Sequence, residues 1–112
     1  MDNQFWRYIE QLMAESEIVI DRPQGSAHPR YAELIYPLDY GYLAGTTAGD
    51  GDGIDVWLGS GERSAISGIV CTVDLQKRDM EIKILLGCSE AEMQIVAQFH
   101  NAGSFRGMVI RR

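Results

Sequence analysis

Three carboxylates stand close together in the middle of the chain, at Asp50, Asp52 and Asp55, with glycines between them. Carboxylate oxygens are the ligands that Mg²⁺, Mn²⁺ and Ca²⁺ prefer. Repulsion between neighbouring carboxylates is relieved when a dication binds, and glycine permits the sharp turn that lets the side chains converge. The segment therefore predicts a divalent-metal site.

Three other interpretations of this segment depend on its spacing. Asp-Gly is itself a strong signal for a solvated hairpin turn, and the spacing leaves that alternative open. An EF-hand loop starting at Asp50 requires a ligand, a glycine and a glutamate at its fifth, sixth and twelfth positions. Those positions hold Ile54, Asp55 and Gly61, so an EF-hand is excluded. A calcium nonapeptide nearly fits residues 50–58 but occurs once, whereas that fold stacks several copies.

The segments around the cluster resemble a known family. Residues 36–42 read Tyr-Pro-x-x-Tyr-Gly-Tyr, and residues 50–56 read Asp-Gly-Asp-Gly-Ile-Asp-Val. Together they resemble the YPxNYG-type and DGDPxDV-type signature of the soluble, metal-dependent (family I) inorganic pyrophosphatases, with Asp39 replacing the Asn and Gly53 the Pro. The similarity covers roughly residues 18–86, because I-D-R-P and Arg30-Tyr31 lie upstream, and G-I-V, Asp74, Glu81 and Lys83 lie downstream.

This resemblance implies a role for each matching carboxylate. Asp50, Asp55 and Glu81 would hold the tightest metal, and Asp74 would join Glu81 at a further metal that arrives with substrate. Asp21 would lie near the outer metal shell. Asp52 would be the general base that acts on the attacking water. The implied cofactor is Mg²⁺, with Mn²⁺ as a substitute. Asp79 competes with Glu81 for its role, and the hairpin register decides between them.

The resemblance also implies the residues that bind the substrate, pyrophosphate. Arg30, Lys83 and Tyr40 would contact phosphate oxygens and take part in catalysis, and Tyr36 would help to shape the binding pocket. Arginine and lysine stabilise charge as it moves onto the leaving phosphate. The reaction implied is Mg²⁺-dependent hydrolysis of inorganic pyrophosphate to two phosphates.

Three departures from the family pattern keep other functions open. The chain is shorter than the family's members, and too few residues separate Arg30 from Tyr36 to carry the family's further phosphate-binding Arg. The acidic residue of its K-Y-E motif is Ala32 here, and its late Tyr-Lys pair has no match, Arg106 being the nearest substitute. The alternatives are hydrolysis of another phosphoanhydride or phosphoester on the same fold, and a non-enzymatic metal- or phosphate-binding relative.

Periodicity predicts the elements that must position these residues. Helices are expected at 3–16, with Asp2 as N-cap, and at 89–101, where Ser89 and Glu92 form a capping-box pattern. Extended segments are expected at 18–20, 30–36, 54–58, 66–75, 80–86 and 105–112, with a turn at 76–79. The pattern is mainly β or α+β. The resemblance implies a single domain over 1–112, a small closed antiparallel, OB-like β-barrel with peripheral helices.

Composition and charge limit the classes of partner and the cellular compartment that we expect. The net charge of −6 disfavours nucleic acid and anionic membranes, and no apolar run is long enough to span a bilayer. The first residues do not resemble a secretory signal, so a cytoplasmic location is expected. Cys71 and Cys88 are expected to be buried or half-buried free thiols. A homo-oligomer is expected, with Phe5, Trp6 and helix 89–101 as candidate contact faces.

Overall fold

The structure is a computed structural model that describes residues 3–112. Within these residues the chain forms two helices and six strands. In chain order the elements are α1 (Asn3–Ala14), β1 (Ile18–Arg22), β2 (Asp39–Leu43), β3 (Ile54–Leu58), β4 (Ile66–Asp74), β5 (Asp79–Leu86), α2 (Glu90–Phe99) and β6 (Phe105–Arg111). No helix in this range is long and apolar enough to cross a membrane.

The strands form one six-stranded sheet in the order β1-β2-β3-β5-β4-β6. All neighbouring strands are antiparallel except β3 and β5, which run parallel with Trp57 opposite Leu85. Across residues 3–112, β1 and β6 lie at the two edges and are not paired with each other. The fold is thus α+β as expected, but the expected closed antiparallel barrel is wrong in both closure and strand direction.

Both faces of the sheet carry buried apolar side chains. On β3, Val56 and Leu58 belong to one core cluster, and Trp57 between them belongs to the other. Trp6 of α1 packs into the first cluster, whereas Met93 of α2 packs into the second. Each face of the sheet is therefore covered by one helix.

Both predicted helices are present, with shorter bounds than expected. α1 ends at Ala14 instead of residue 16, and the predicted N-cap Asp2 lies outside the described residues. At the start of α2 the capping box is confirmed: the Glu92 amide donates to Ser89 Oγ at 3.1 Å, and the Ser89 amide donates to Glu92 Oε1 at 2.9 Å. Glu92 also accepts from the Ser60 amide, which ties α2 to the segment after β3.

The segment between β1 and β2 differs most from expectation. Residues 30–36 are not extended, because the chain folds back through a turn in which the Leu34 amide donates to the Tyr31 carbonyl at 2.9 Å. The His28 amide donates to the Leu34 carbonyl at 2.8 Å, and Ala27 bridges Ile35. This fold-back carries Arg30 toward the same face of the sheet as α2. The strand in this part of the chain is instead β2, which pairs with β1 on one side and β3 on the other.

Candidate active site

A cavity of about 500 Å³ opens on the α2 face of the sheet. Its lining includes every site residue predicted from the sequence: Asp21, Arg30, Tyr36, Tyr40, Asp50, Asp52, Asp55, Asp74, Glu81 and Lys83. They come from β1, β2, β3, β4 and β5 and from the two connections on either side of β2. Residues that are far apart in the chain are therefore brought to one site by the sheet.

The connection between β2 and β3 supplies the first two carboxylates. The Asp52 amide donates to Asp50 Oδ1 at 3.0 Å, and the Asp52 carbonyl accepts from the Ala48 amide at 2.6 Å. The hydrogen bond from the Asp52 backbone is the main reason that the pKa of the Asp50 carboxyl lies below its usual range. The backbone thus holds the turn, and both side chains are exposed at the cavity.

Glu81 on β5 lies against this turn. Burial raises the pKa of the Glu81 carboxyl; Lys83 opposes the shift, and the neighbouring carboxyls of Asp50 and Asp55 add to it. Glu81 and Asp50 interact directly through their side chains. Because Glu81 is the more buried of the two, it is the carboxyl that favours the protonated state.

Lys83 is the buried cation of the site, with 6% of its surface exposed. Its Nζ donates to Asp55 Oδ2 at 2.9 Å and to the Tyr40 hydroxyl oxygen at 2.8 Å, and lies 3.6 Å from Glu81 Oε2. Burial, followed by the negative charge of Asp55, raises the pKa of the Tyr40 phenol well above its usual value. The Tyr40 hydroxyl therefore keeps its proton and can donate it.

The donor set fits a divalent cation in kind. Asp50, Asp55 and Glu81 offer the oxygen ligands that Mg²⁺ takes. The pKa of Glu81 is raised first by burial and then by the neighbouring carboxyls of Asp50 and Asp55, and that repulsion is relieved by added positive charge. Across residues 3–112, however, no three acidic, histidine or cysteine side chains converge as a metal cluster. Lys83 supplies the positive charge between Asp55 and Glu81.

Asp74 and Asp79 occupy the two ends of the β4-β5 turn. The buried Asp74 Oδ1 accepts from the backbone amides of Gln76 and Lys77 at 2.9 and 3.1 Å, so this carboxylate also fixes the turn. Asp79 lies 3.7 Å from the Lys77 ammonium and does not line the cavity. Of the two competing residues, the hairpin register thus brings Glu81, not Asp79, to the site.

Aromatic side chains form the floor of the cavity. Tyr36 contacts Phe99 with ring centroids 5.1 Å apart, and Tyr40 contacts Trp57 at 4.7 Å. Tyr36 is 3% exposed, and burial raises the pKa of its phenol. These rings fix the Tyr36 and Tyr40 hydroxyls at the cavity wall, so the tyrosines serve both the core and the site.

Several lining residues were not predicted: Arg22, His28, Tyr31, Lys77, Phe99, His100 and Phe105. The first predicted strand ends at residue 20, and Arg22 fills the unmatched position of the I-D-R-P segment, so neither signal identifies it. The sequence pattern places Lys77 in the turn predicted at 76–79. Lys77 follows Asp74, a predicted site residue, in the same turn. This short distance along the chain is the sequence signal that could have identified it.

Comparisons with known proteins agree with the fold. No protein-family profile matches the chain, and no curated protein sequence matches it. Among solved structures, an inorganic pyrophosphatase from Coxiella burnetii superposes with a TM-score of 0.58 at 15% sequence identity, covering 84% of this chain and 82% of that one. At this identity the likeness concerns the fold alone. The chain has a pyrophosphatase-like α+β fold.

Proposed function

We propose that this chain is a divalent-metal-dependent inorganic pyrophosphatase that hydrolyses pyrophosphate to two phosphates. The observation that carries the proposal is one cavity, within a pyrophosphatase-like fold, that joins acidic residues to cations and protonated phenols. A substrate with several negative charges needs such a mixture. Cations bind its oxygens, and carboxylates hold the metal and accept a proton.

In this proposal Asp50, Asp55 and Glu81 hold Mg²⁺, or Mn²⁺ in its place, with Asp74 and Asp21 as further ligands at the margins. When bound, the metal would neutralise pyrophosphate and lower the pKa of water. The support is the chemistry of the donors and their common cavity. The Asp74 carboxylate is less available to a metal than the others, because its Oδ1 already accepts hydrogen bonds from two backbone amides.

Asp52 is the proposed general base. Its backbone amide and carbonyl hold the turn, which leaves an exposed carboxylate at the cavity. A positioned carboxylate can accept a proton from the attacking water, and such general-base catalysis contributes about 10²- to 10⁴-fold to the rate.

Lys83, Arg30 and Tyr40 are the proposed electrophilic groups, and Tyr36 shapes the site. Lys83 and Tyr40 are buried and joined to each other, so their orientation is fixed before substrate arrives. Preorganised donors of this kind stabilise negative charge as it develops on the leaving phosphate. Arg30 is exposed and approaches from the connection between β1 and β2.

The test is phosphate release from pyrophosphate with Mg²⁺, for the wild type and Asp52→Asn. We expect release that requires Mg²⁺ and falls by about 10²- to 10⁴-fold in the variant. Asp79→Asn is the matched control, because it makes the same chemical change outside the cavity. A panel containing a nucleoside diphosphate and a phosphomonoester separates pyrophosphate from other phosphate substrates. Absence of release from the wild type would refute the proposal.

Homo-oligomerisation and a cytoplasmic location remain predictions. Of the candidate contact residues, Trp6 is 5% exposed and packs in the chain's own core, whereas Phe5 is 39% exposed. Other exposed apolar side chains lie on β5 and β6, where Ile82 and Met108 flank Cys71 in one register row. Sedimentation of the wild type and Met108→Lys would measure whether this row takes part in assembly.

A further inference from the structure

The pairing of β1 with β2 contains a bulge at the edge of the cavity. Ile20 lies opposite Gly41, and Arg22 lies opposite Tyr40, so Asp21 is an extra residue between two consecutive pairs. In a regular strand, neighbouring side chains point to opposite faces. A bulge redirects side chains, and here both Asp21 and Arg22 line the cavity.

The redirected guanidinium of Arg22 is held in a fixed orientation. Its Nη1 donates to the Tyr36 hydroxyl oxygen at 2.6 Å. Its Cζ lies 5.7 Å from the centroid of the Tyr36 ring and 5.9 Å from that of the Tyr40 ring, which are cation–π distances. Because both rings belong to the buried floor, Arg22 is positioned by the core and not by solvent.

The charge of Arg22 is available to an anion. The Lys83 ammonium is neutralised by close carboxylates, whereas the Arg22 guanidinium binds a phenol and forms no ion pair within 4 Å among residues 3–112. Arg30 and Lys77 line the same cavity. Their proximity is visible at His28, whose pKa is lowered first by burial and then by Arg22, Arg30 and Lys77.

The cavity therefore has two electrostatic sides. The carboxylate side is formed by Asp50, Asp52, Asp55 and Glu81, which share one turn or interact directly. The cationic side is formed by Arg22, Arg30 and Lys77, which all act on His28. The carboxylates of Asp21 and Asp74 lie beside this cationic side, next to Arg22 and at the Lys77 amide. An elongated substrate with a phosphoryl group at each end cannot place both ends beside carboxylates without repulsion. The end that lies farther from the carboxylates needs cations, and the fork of a guanidinium matches two oxygens of one phosphoryl group.

We propose that Arg22, redirected by the bulge at Asp21, is a phosphate-binding residue that binds the phosphoryl group farther from the carboxylate side. This inference rests on the proposed function for its substrate. Its hydrogen bond to Tyr36 uses one nitrogen, which leaves other guanidinium donors for the phosphoryl oxygens. Arg22 would supply this cationic contact from β1, and residues 31–35 between Arg30 and Tyr36 contain no further arginine.

The test is calorimetric titration with imidodiphosphate in excess Mg²⁺, which measures binding of a pyrophosphate analogue without turnover. We expect Arg22→Met to weaken binding by about 10- to 100-fold, as for loss of a charged hydrogen bond. Arg22→Lys keeps the charge but loses the fork, so a smaller weakening is expected. Arg63→Met is the matched control; it removes the same charge from an exposed position outside the cavity, and should change the Kd by less than about twofold.

A further variant separates binding from positioning. Tyr36→Phe removes the hydroxyl that Arg22 contacts but keeps the guanidinium, so it should weaken imidodiphosphate binding less than Arg22→Met does. Equal weakening in both variants would overturn the proposal, because Arg22 would then act only by holding Tyr36. Wild-type affinity in Arg22→Met would also overturn it. If thermal melting shows that Arg22→Met does not fold, Arg22→Lys decides, and unchanged affinity there would overturn the proposal.

The same titration distinguishes failure of this inference from failure of the proposed function. A wild type that binds imidodiphosphate in an Arg22-dependent way but does not hydrolyse pyrophosphate would refute the pyrophosphatase proposal and support the role of Arg22. A wild type that hydrolyses pyrophosphate, with a variant that binds the analogue equally well, would refute the role of Arg22 alone. Absence of analogue binding to the wild type would overturn the Arg22 proposal.

Discussion

The indole N–H of Trp57 donates a hydrogen bond to Nε2 of His100 at 3.0 Å, in the buried layer between the sheet and α2. This contact requires an imidazole that is neutral at Nε2, because a protonated imidazole has no acceptor. Burial lowers the pKa of His100 to about 3, with a further contribution from Lys83. His100 is therefore held neutral in the folded protein.

This neutral histidine predicts a loss of stability in acid. The folded pKa lies below the unfolded pKa of about 6.5, so the unfolded state binds the proton first as the pH falls. The stability from neutral His100 is lost as the pH falls from about 6.5 toward 3, amounting to about 2 kcal/mol at pH 5. Urea unfolding at about pH 7 and pH 5 measures the free energy of unfolding at each pH.

His100→Gln tests the assignment, since glutamine keeps an acceptor for Trp57 but does not titrate. Between pH 7 and pH 5, we expect the free energy of unfolding of this variant to fall by about 2 kcal/mol less than that of the wild type. His28→Gln is the control. Its free energy of unfolding should depend on pH almost as steeply as that of the wild type, because His28 is less buried than His100. An equal fall in the free energy of unfolding between pH 7 and pH 5 in the wild type and His100→Gln would contradict the prediction.

Replacing Lys83 should expose the repulsion between the carboxylates. Lys83→Met removes the ammonium that lies 2.9 Å from Asp55 and 3.6 Å from Glu81, which leaves partly buried carboxylates without a counter-charge. We expect the free energy of unfolding to fall by about 3 kcal/mol. Added Mg²⁺ should restore more stability to this variant than to the wild type, because it replaces the lost positive charge.

Lys77→Met provides the comparison for Lys83. Lys77 is half exposed and lies 3.7 Å from Asp79, so its removal should cost no more than about 0.5 kcal/mol. Denaturant unfolding of both variants, with and without Mg²⁺, measures the two effects. A similar small loss in both would mean that Lys83 does not balance the carboxylates.

Gly41 should tolerate no side chain. A Cβ at this position would lie 1.9 Å from the Val19 carbonyl oxygen and 2.8 Å from the Val19 carbonyl carbon, both backbone atoms of the neighbouring strand. Gly41→Ala must therefore separate β1 from β2, and we expect a loss of about 3 kcal/mol in the free energy of unfolding. Gly49→Ala adds a Cβ that meets no atom within 4 Å, and should change stability by less than about 1 kcal/mol. Comparable losses in the two variants would contradict the steric argument.

Cys88 should react slowly with thiol reagents. Burial, with a smaller contribution from Glu92, raises the pKa of its thiol to about 11. The thiolate is the reactive form, so alkylation near pH 8 should be about a hundredfold slower in the folded protein than in urea. The measurement uses Cys71→Ser, in which Cys88 is the remaining thiol. Similar rates in the folded and unfolded protein would show that Cys88 is accessible as thiolate.

Local patterns predicted both helices and every strand except β2, and the resemblance to a known family indicated which residues could share a site. The Ser89-Glu92 capping box predicted the start of α2, and the mainly apolar segment at 54–58 predicted β3. The spacing of Asp50, Asp52 and Asp55, together with the tyrosine motif before them, identified carboxylates and phenols that all line the cavity. These signals depend on neighbours a few residues apart, so the sequence alone contains them.

The sheet topology was decided only by tertiary structure. The apolar run of β3 is buried on both faces, and no local signal tells whether such a strand lies in a barrel wall or between two layers of helix. Its parallel pairing with β5 joins segments distant in the chain. The same holds for Glu81 and Asp79, since only the β4-β5 register brought Glu81 to the cavity.

The bulge at Asp21 was the least predictable feature of the site. Strand alternation separates Asp21 from Arg22, and a bulge depends on the partner strand, where Gly41 allows close approach and Tyr40 lies opposite Arg22. The sequence by itself determined which residue types could bind metal and phosphate, because motif spacing is local. The tertiary structure decided which of them face one cavity, because facing depends on pairing between strands far apart in the chain.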